Sequence, residues 1–275
     1  MSSSLTTSSI IDAGFAMDKT AVFNYRVSIM RRFFIKPSDI RDNTAEITGQ
    51  DARHLATVLR ITCDDTVELF DGEGHDFKAR VETATARRVT LTITETSVSR
   101  RESPAHITIA QGMLKDKKMD MLIRHLTELG IVEWIPFFGA RSVPKPDEKR
   151  VQQRMKRWEK IAKEALKQCG RSLAPGIKQP VSFQQLLEAS DNYDEKIAFF
   201  EKATVPLTHL QEKNREPGRK FIVLIGPEGG FSDREAAAAE DHGFGTFTLG
   251  PRILRAETAS ITACALVQHF FGDLG

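Results

Sequence analysis

Four things are scarce in this chain of 275 residues. Cysteine is the first: Cys63, Cys169 and Cys264 lie far apart, and no Cys-x-x-Cys occurs. That argues against structural zinc and makes a reducing compartment the default. Long apolar runs are the second. None approaches the roughly 18 residues of a membrane span, so no membrane role is expected. Net charge is the third, since 39 basic and 37 acidic residues leave +2. A value so close to zero neither favours nor excludes a nucleic acid partner, and local clustering has to decide. Nucleotide signatures are the fourth. Gly-x-x-x-x-Gly-Lys-Ser/Thr is absent, and no Gly-x-Gly-x-x-Gly follows a strand. With 40% apolar and 28% charged residues the chain reads as globular, long enough for one large or two modest domains.

What is present concentrates near the C-terminus. Phe221-Ile222-Val223-Leu224-Ile225 is a short apolar run rich in β-branched residues, the pattern of a strand buried on both faces. It ends in Gly226-Pro227-Glu228-Gly229-Gly230. Ser232-Asp233-Arg234-Glu235 is a capping box that opens an alanine-rich helix. A second strand, Phe244 to Leu249, ends in Gly250-Pro251-Arg252-Ile253-Leu254-Arg255, and Glu257-Thr258 open an apolar helix over Ala259 to Phe271. Both strands thus end in a glycine loop that feeds a helix. Open α/β sheets bind ligands at the carboxyl ends of their strands. Glycine lets the backbone pass close to a ligand, Pro227 stiffens the loop, and free main-chain N–H and C=O groups can read an adenine edge. A tight turn with no ligand is the competing reading of the pentapeptide alone. Its pairing with the second loop favours the ligand.

Upstream, residues 1–29 are rich in Ser and Thr and show no period. They read as a disordered extension or an upstream start. A transit peptide is the alternative, but Lys19 and Arg26 are balanced there by Asp12 and Asp18. Residues 30–103 read as a small β domain. Thr66 to Phe70 and Phe77 to Val81 alternate around an Asp71–Gly74 turn, Val89 to Thr94 alternates again, and Asp51 to Leu59 is a short helix. Arg100 to Pro104 is the linker. Residues 104–275 then alternate strand and helix. The strands are Ile107 to Gly112, Val132 to Phe137 and Lys196 to Phe200, the last with Glu201-Lys202 at its rim. Lys117 to Leu129 is an amphipathic helix stopped by Gly130, and Arg141-Ser142 close a third strand-end loop on the same rim.

The helix over Asp147 to Arg171 carries an apolar stripe with Trp158, Ala162 and Leu166 on one face. Nine Lys and Arg stand against four Asp and Glu, mostly on the other. Two readings stay open for that face: solvation, or contact with a phosphate backbone through counterion release.

The two loop segments, Ile225 to Ser232 and Leu249 to Ala259, resemble the RsmE family of SPOUT methyltransferases, which methylate N3 of a uridine in 16S ribosomal RNA. The resemblance runs from about Met30 to the C-terminus. It implies an α/β fold: a SPOUT trefoil-knot methyltransferase domain over 104–275, preceded by a PUA-like β-barrel over 30–103 that binds RNA. It also implies a cytoplasmic homodimer with S-adenosylmethionine as methyl donor, no metal, and small-subunit rRNA or the 30S subunit as partner. Carried onto this sequence, the cofactor would be held by Ile225, Gly226, Pro227, Glu228, Gly229, Gly230, Leu249, Gly250, Ile253, Leu254 and Thr258. RNA would meet Arg31, Arg32, His54, Arg60, Arg141, Arg154, Arg157, Gln168 and Arg171, the last two near a family signature. His54 alone also reads as a half-buried structural histidine. Uridine N3 carries a proton, so catalysis needs alignment and help for a developing uracil anion. Arg255 is the candidate for that help, with an ion pair to Glu257 or Glu228 as its alternative. Glu228 and Glu257 complete the catalytic set, and no general base is evident. A SPOUT enzyme for another RNA target, or a non-catalytic ribosome-assembly protein, are the rival functions.

Overall fold

A computed structural model of the chain describes residues 32–143, 147–210 and 216–275, with the side chain of Asp116 left out. The extension over residues 1–29 and Arg31 therefore lie outside the described residues. Two sheets make up the fold. The first is built from β1 (Arg32–Phe34), β2 (Ile40–Arg41), β3 (Thr44–Thr48), β4 (Thr66–Phe70), β5 (His75–Ala84) and β6 (Arg88–Val98). Its order is β1-β4-β5-β6-β3-β2, with β1 parallel to β4 and the rest antiparallel. Helix α1 (Gly49–Arg53) runs on as a π-helical turn over His54–Val58. Its Ala52 and Leu55 join one core with Val67, Leu69, Val81 and Leu91. The alternation read in the sequence explains this: Val67 and Leu69, then Ala79 and Val81, point inward while their neighbours face outward.

The second sheet contains β7 (His106–Gly112), β8 (Glu133–Phe138), β9 (Gly176–Ile177), β10 (Val181–Ser182), β11 (Glu195–Phe199), β12 (Lys220–Ile225) and β13 (Gly245–Phe247). All pairings are parallel, in the order β10-β8-β7-β12-β11-β13, with β9 also on β8. Helices α2 (Asp116–Glu128), α3 (Glu148–Cys169), α4 (Phe183–Glu188), α5 (Asp233–Asp241) and α6 (Ala256–Phe271) complete it. Phe221, Val223 and Ile225 of β12 share a core with residues of α2, α3 and α6. Ile222 and Leu224, pointing the other way, share one with residues of α4 and α5. A parallel strand covered on both faces has to be apolar throughout, as this one is. Trp158 of α3 meets Trp134 of β8 edge to face at 5.0 Å, an arrangement worth about 0.5–1.5 kcal/mol beyond its buried area.

Two differences from the sequence reading matter for the site. The last strand stops at Phe247, short of Leu249, because the Thr248 N–H leaves the ladder and donates to the Val205 carbonyl at 2.9 Å. The last helix starts at Ala256, three residues early, with Arg255 as its N-cap residue. Glu257 therefore sits in the first turn, where the helix dipole favours an anion.

The sheets meet at a buried polar joint. Arg171, 4% exposed, donates to the carbonyls of Thr127 (2.6 Å) and Ile131 (3.1 Å) and to Glu102 (2.9 Å). Glu102 in turn accepts from the amides of Ser172 and Leu173. Arg32 reaches from β1 to the Arg171 carbonyl (2.6 Å), to Asp76 (2.5 Å) and to the Ser172 hydroxyl. Its guanidinium also lies 4.3 Å above the Phe70 ring. Both arginines were expected on RNA. Both side chains are instead buried in the joint, where their terminal nitrogens bond carbonyls, carboxylates and the Ser172 hydroxyl.

Burial tends to raise the pKa of Asp76, but hydrogen bonds from Ser172 and Arg32 outweigh it and hold the carboxyl below its ordinary 3.8. A depressed carboxyl stabilises the fold above its unfolded pKa, and the gain fades as pH falls through the folded value. Asp76→Asn should thus be less stable than the parent at pH 7, and the gap should shrink as urea midpoints are followed from pH 6 to pH 3. A gap constant over that range would show that the Asp76 charge does not hold the joint.

Candidate active site

The carboxyl ends of three adjacent strands converge. β11 lies between β12 and β13, so Phe199, Ile225 and the residues after Phe247 share one edge of the sheet. A cleft opens there, lined by Phe199, Phe200 and Glu201, by Ile225 to Glu228 with Gly230 and Phe231, and by Thr248 to Ala256 with Ala259. Its cavity volume is about 160 Å³.

The first loop is fixed from behind. Gln111, fully buried on β7, donates to the carbonyls of Gly112 (3.0 Å) and Gly226 (3.2 Å), and its own oxygen accepts from the Ser260 hydroxyl of α6. Gly112 leaves the space that the loop fills: a Cβ there would lie 2.4 Å from the Pro227 nitrogen. From the side, Arg141 donates to the Gly229 carbonyl at 2.9 Å. The Glu235 carboxylate, while completing the capping box of α5, accepts from the Ala140 amide at 2.8 Å. The third strand-end loop thus braces the glycine loop. In the second loop, the main-chain N–H groups of Arg252, Ile253 and Leu254 make no hydrogen bond among the described residues. The cleft therefore offers free amides beside apolar walls from Phe199, Leu249 and Leu254, which suits a ligand with an aromatic base and polar edges.

Charge gathers at one corner. Lys118 Nζ of α2 lies 2.7 Å from Glu228 Oε1 and 3.2 Å from Glu257 Oε2. The hydrogen bond that Lys118 donates to Glu228 raises the lysine's pKa. Arg255 stands exposed on the rim and forms no ion pair among the described residues, so it is Lys118 that the two glutamates hold.

Comparison with known proteins identifies this architecture. An RNA methyltransferase domain model matches residues 101–268, and an RNA methyltransferase PUA domain model matches residues 47–94. The ribosomal RNA small subunit methyltransferase E of Bacillus subtilis is 32% identical, over 87% of this chain and 96% of its own. The chain belongs to the ribosomal RNA small subunit methyltransferase E family. The enzyme of that name from an aphid Buchnera aphidicola is also 32% identical, over 92% of this chain and 98% of its own. Among solved structures, methyltransferase E of Neisseria gonorrhoeae bound to S-adenosyl methionine superposes with a TM-score of 0.79 at 29% identity, covering 90% of this chain and 100% of its own. A Legionella pneumophila protein in complex with the cofactor SAM gives 0.79 at 31%, covering 89% and 99%. The fold is thus the α/β fold of SPOUT methyltransferases with an N-terminal PUA-like part.

Within this methyltransferase E framework, nine of the eleven residues expected to hold the cofactor line the cleft. The two exceptions have physical reasons. Gly229 faces the neighbouring turn, where a Cβ would meet Arg141 Cβ at 3.0 Å, and Thr258 points to solvent from the first turn of α6. Of the residues expected on RNA, Arg141 braces the glycine loop, Arg157 pairs with Asp120 at 2.5 Å, and Gln168, His54 and Arg60 are exposed. Arg154 is half-buried. Sequence reasoning missed Lys118, Gln111 and Gly112, since nothing local marks a residue whose partners lie far along the chain. Phe199 and Phe200 carried a usable signal, as aromatics at a parallel strand's carboxyl end.

Gly112→Ala should lower cofactor affinity at least tenfold by pushing the Pro227 backbone into the cleft, with secondary structure intact by circular dichroism. Calorimetric titration with S-adenosylmethionine giving the parent affinity would show that the loop does not depend on this contact.

Proposed function

We propose that the chain transfers a methyl group from S-adenosylmethionine to N3 of a uridine in small-subunit ribosomal RNA. The convergence of the glycine loop and the Gly250 to Arg255 loop into one cleft carries this reading. It is supported by the methyltransferase E relatives named for small-subunit rRNA and by two similar structures bound to the cofactor. S-adenosylmethionine supplies an electrophilic methyl on a sulfonium. The chain's own residues then have three tasks. Gly226, Pro227 and the 252–254 amides hold and orient the cofactor, with Phe199 and Leu249 excluding water. Arg255, with no carboxylate partner among the described residues, faces the anion that develops on the uracil as N3 loses its proton. Glu228 and Glu257 keep the cofactor side of the cleft acidic.

The domain division at residues 103–104 fits the gap between β6 and β7, and hydrogen bonds distant in sequence join the parts at the Arg171 joint. A trefoil knot is supported by β11 lying inside β12 and β13 while Thr248 pairs back to Val205. A homodimer is supported by Ile253, 84% exposed beside the cleft, and by the half-buried Ile261 and Leu266 of α6. RNA contact is assigned to Arg60, His54, Gln168 and the outward lysines Lys156 and Lys160 of α3, with the 30S subunit as the assembly that presents the uridine. No helix among the described residues is long and apolar enough to cross a membrane. The cytoplasm is the compartment that the free cysteines and the ribosomal substrate favour.

Incubating the protein with labelled S-adenosylmethionine and small ribosomal subunits lacking the modification should yield N3-methyluridine on nucleoside analysis. A different methylated nucleoside would overturn the assigned target. Arg255→Ala should lower kcat by about 10²-fold or more, the scale of removing one preorganised donor, while cofactor Kd changes little. Equal losses in both would make Arg255 a binding residue.

A further inference from the structure

Lys118 belongs to α2, yet its ammonium is shared by the two loops that form the cleft. Glu228 comes from the glycine loop after β12, and Glu257 comes from the turn of α6 that follows the second loop. Each approaches Lys118 from a different part of the chain. The three side chains are 31%, 25% and 12% exposed in the order Lys118, Glu228, Glu257. Solvent screening is therefore incomplete, and weakest at Glu257. One cation and two carboxylates leave a net charge of −1. Glu228 lines the cleft, so that charge is felt inside it, alongside those of Glu201, Arg252 and Arg255, which line it too.

This arrangement bears on a problem that any such enzyme has. Methyl transfer leaves the bonding pair on sulfur, so the positive sulfonium of the donor becomes the neutral thioether of the product. Donor and product share every other group. A cleft built only from amides and apolar walls would hold both equally, and product would compete with fresh donor. A fixed negative charge near the sulfur separates them.

Building on the methyltransferase reading above, we propose that Lys118, Glu228 and Glu257 form a charge hub that ties the two cofactor loops together and selects the sulfonium donor over the thioether product. Lys118 is a positioning residue in it. It cancels one of two carboxylates that would otherwise repel each other, and it fixes where the remaining negative charge sits. At a dielectric between those of protein and water, one such charge shifts a binding ratio roughly fivefold.

The test uses the full-length protein at low salt and titrates it calorimetrically with S-adenosylmethionine and with S-adenosylhomocysteine. Glu257→Gln keeps the side chain's shape and brings the hub to neutrality. It should lower the preference for donor over product by about fivefold, whatever it does to the two affinities together. Lys118→Met unties the loops and should weaken both ligands, and Lys118→Arg should restore them. A donor-to-product ratio unchanged in Glu257→Gln, or parent affinities for both ligands in Lys118→Met, would overturn the hub while leaving the methyltransferase reading in place. If the parent protein bound neither ligand, that reading itself would fall and the hub with it.

Discussion

The site depends on one buried amide. Gln111 ends the β7 strand's apolar run with a polar side chain that water cannot reach, and an unpaired amide there would cost on the order of 1–3 kcal/mol. It is satisfied on three sides: by its neighbour's carbonyl, by the Gly226 carbonyl of the glycine loop, and by the Ser260 hydroxyl of α6. Sheet, loop and helix are therefore held in one geometry by the requirement that this group be paired. Gly112 beside it leaves the room that Pro227 fills.

Much of this was legible in the sequence because it is local. Val67 to Val81 declare their strands by alternation, Phe221 to Ile225 by the lack of it, and Ser232 with Glu235 announce the start of α5. The two glycine loops predict a shared cleft because they follow strands and precede helices. Strand order was not legible: nothing in the run Glu195–Phe199 says that it will separate β12 from β13. Nor was the fate of an arginine. Arg171 looks in sequence like part of a basic face. It is buried because the turn after Gly170, with its positive φ of 86°, swings the chain back under α2 toward the Thr127 and Ile131 carbonyls.

Charge follows the same division. The formal +2 of the whole chain hides three local arrangements of different kinds. At the joint, Arg32, Asp76, Arg171 and Glu102 neutralise one another out of solvent. On α3, Lys156 and Lys160 face outward, where salt screens them. At the cleft, Lys118 pairs with Glu228 and Glu257, while Glu201, Arg252 and Arg255 line the pocket beside them. Sequence counts register all of these as Lys, Arg, Asp and Glu, and burial with pairing decides what each does.

α3 gives the molecule a mechanical property. At ~1.5 Å per residue its 22 residues make a rod about 33 Å long. Its middle is locked to β8 through the paired tryptophans, and its C-terminal end is bonded to β1 through the Leu166 carbonyl and Arg32. A rod fastened at both places behaves as a gauge. The spacing between the first sheet and β8 is thereby set by the stiffness of one helix.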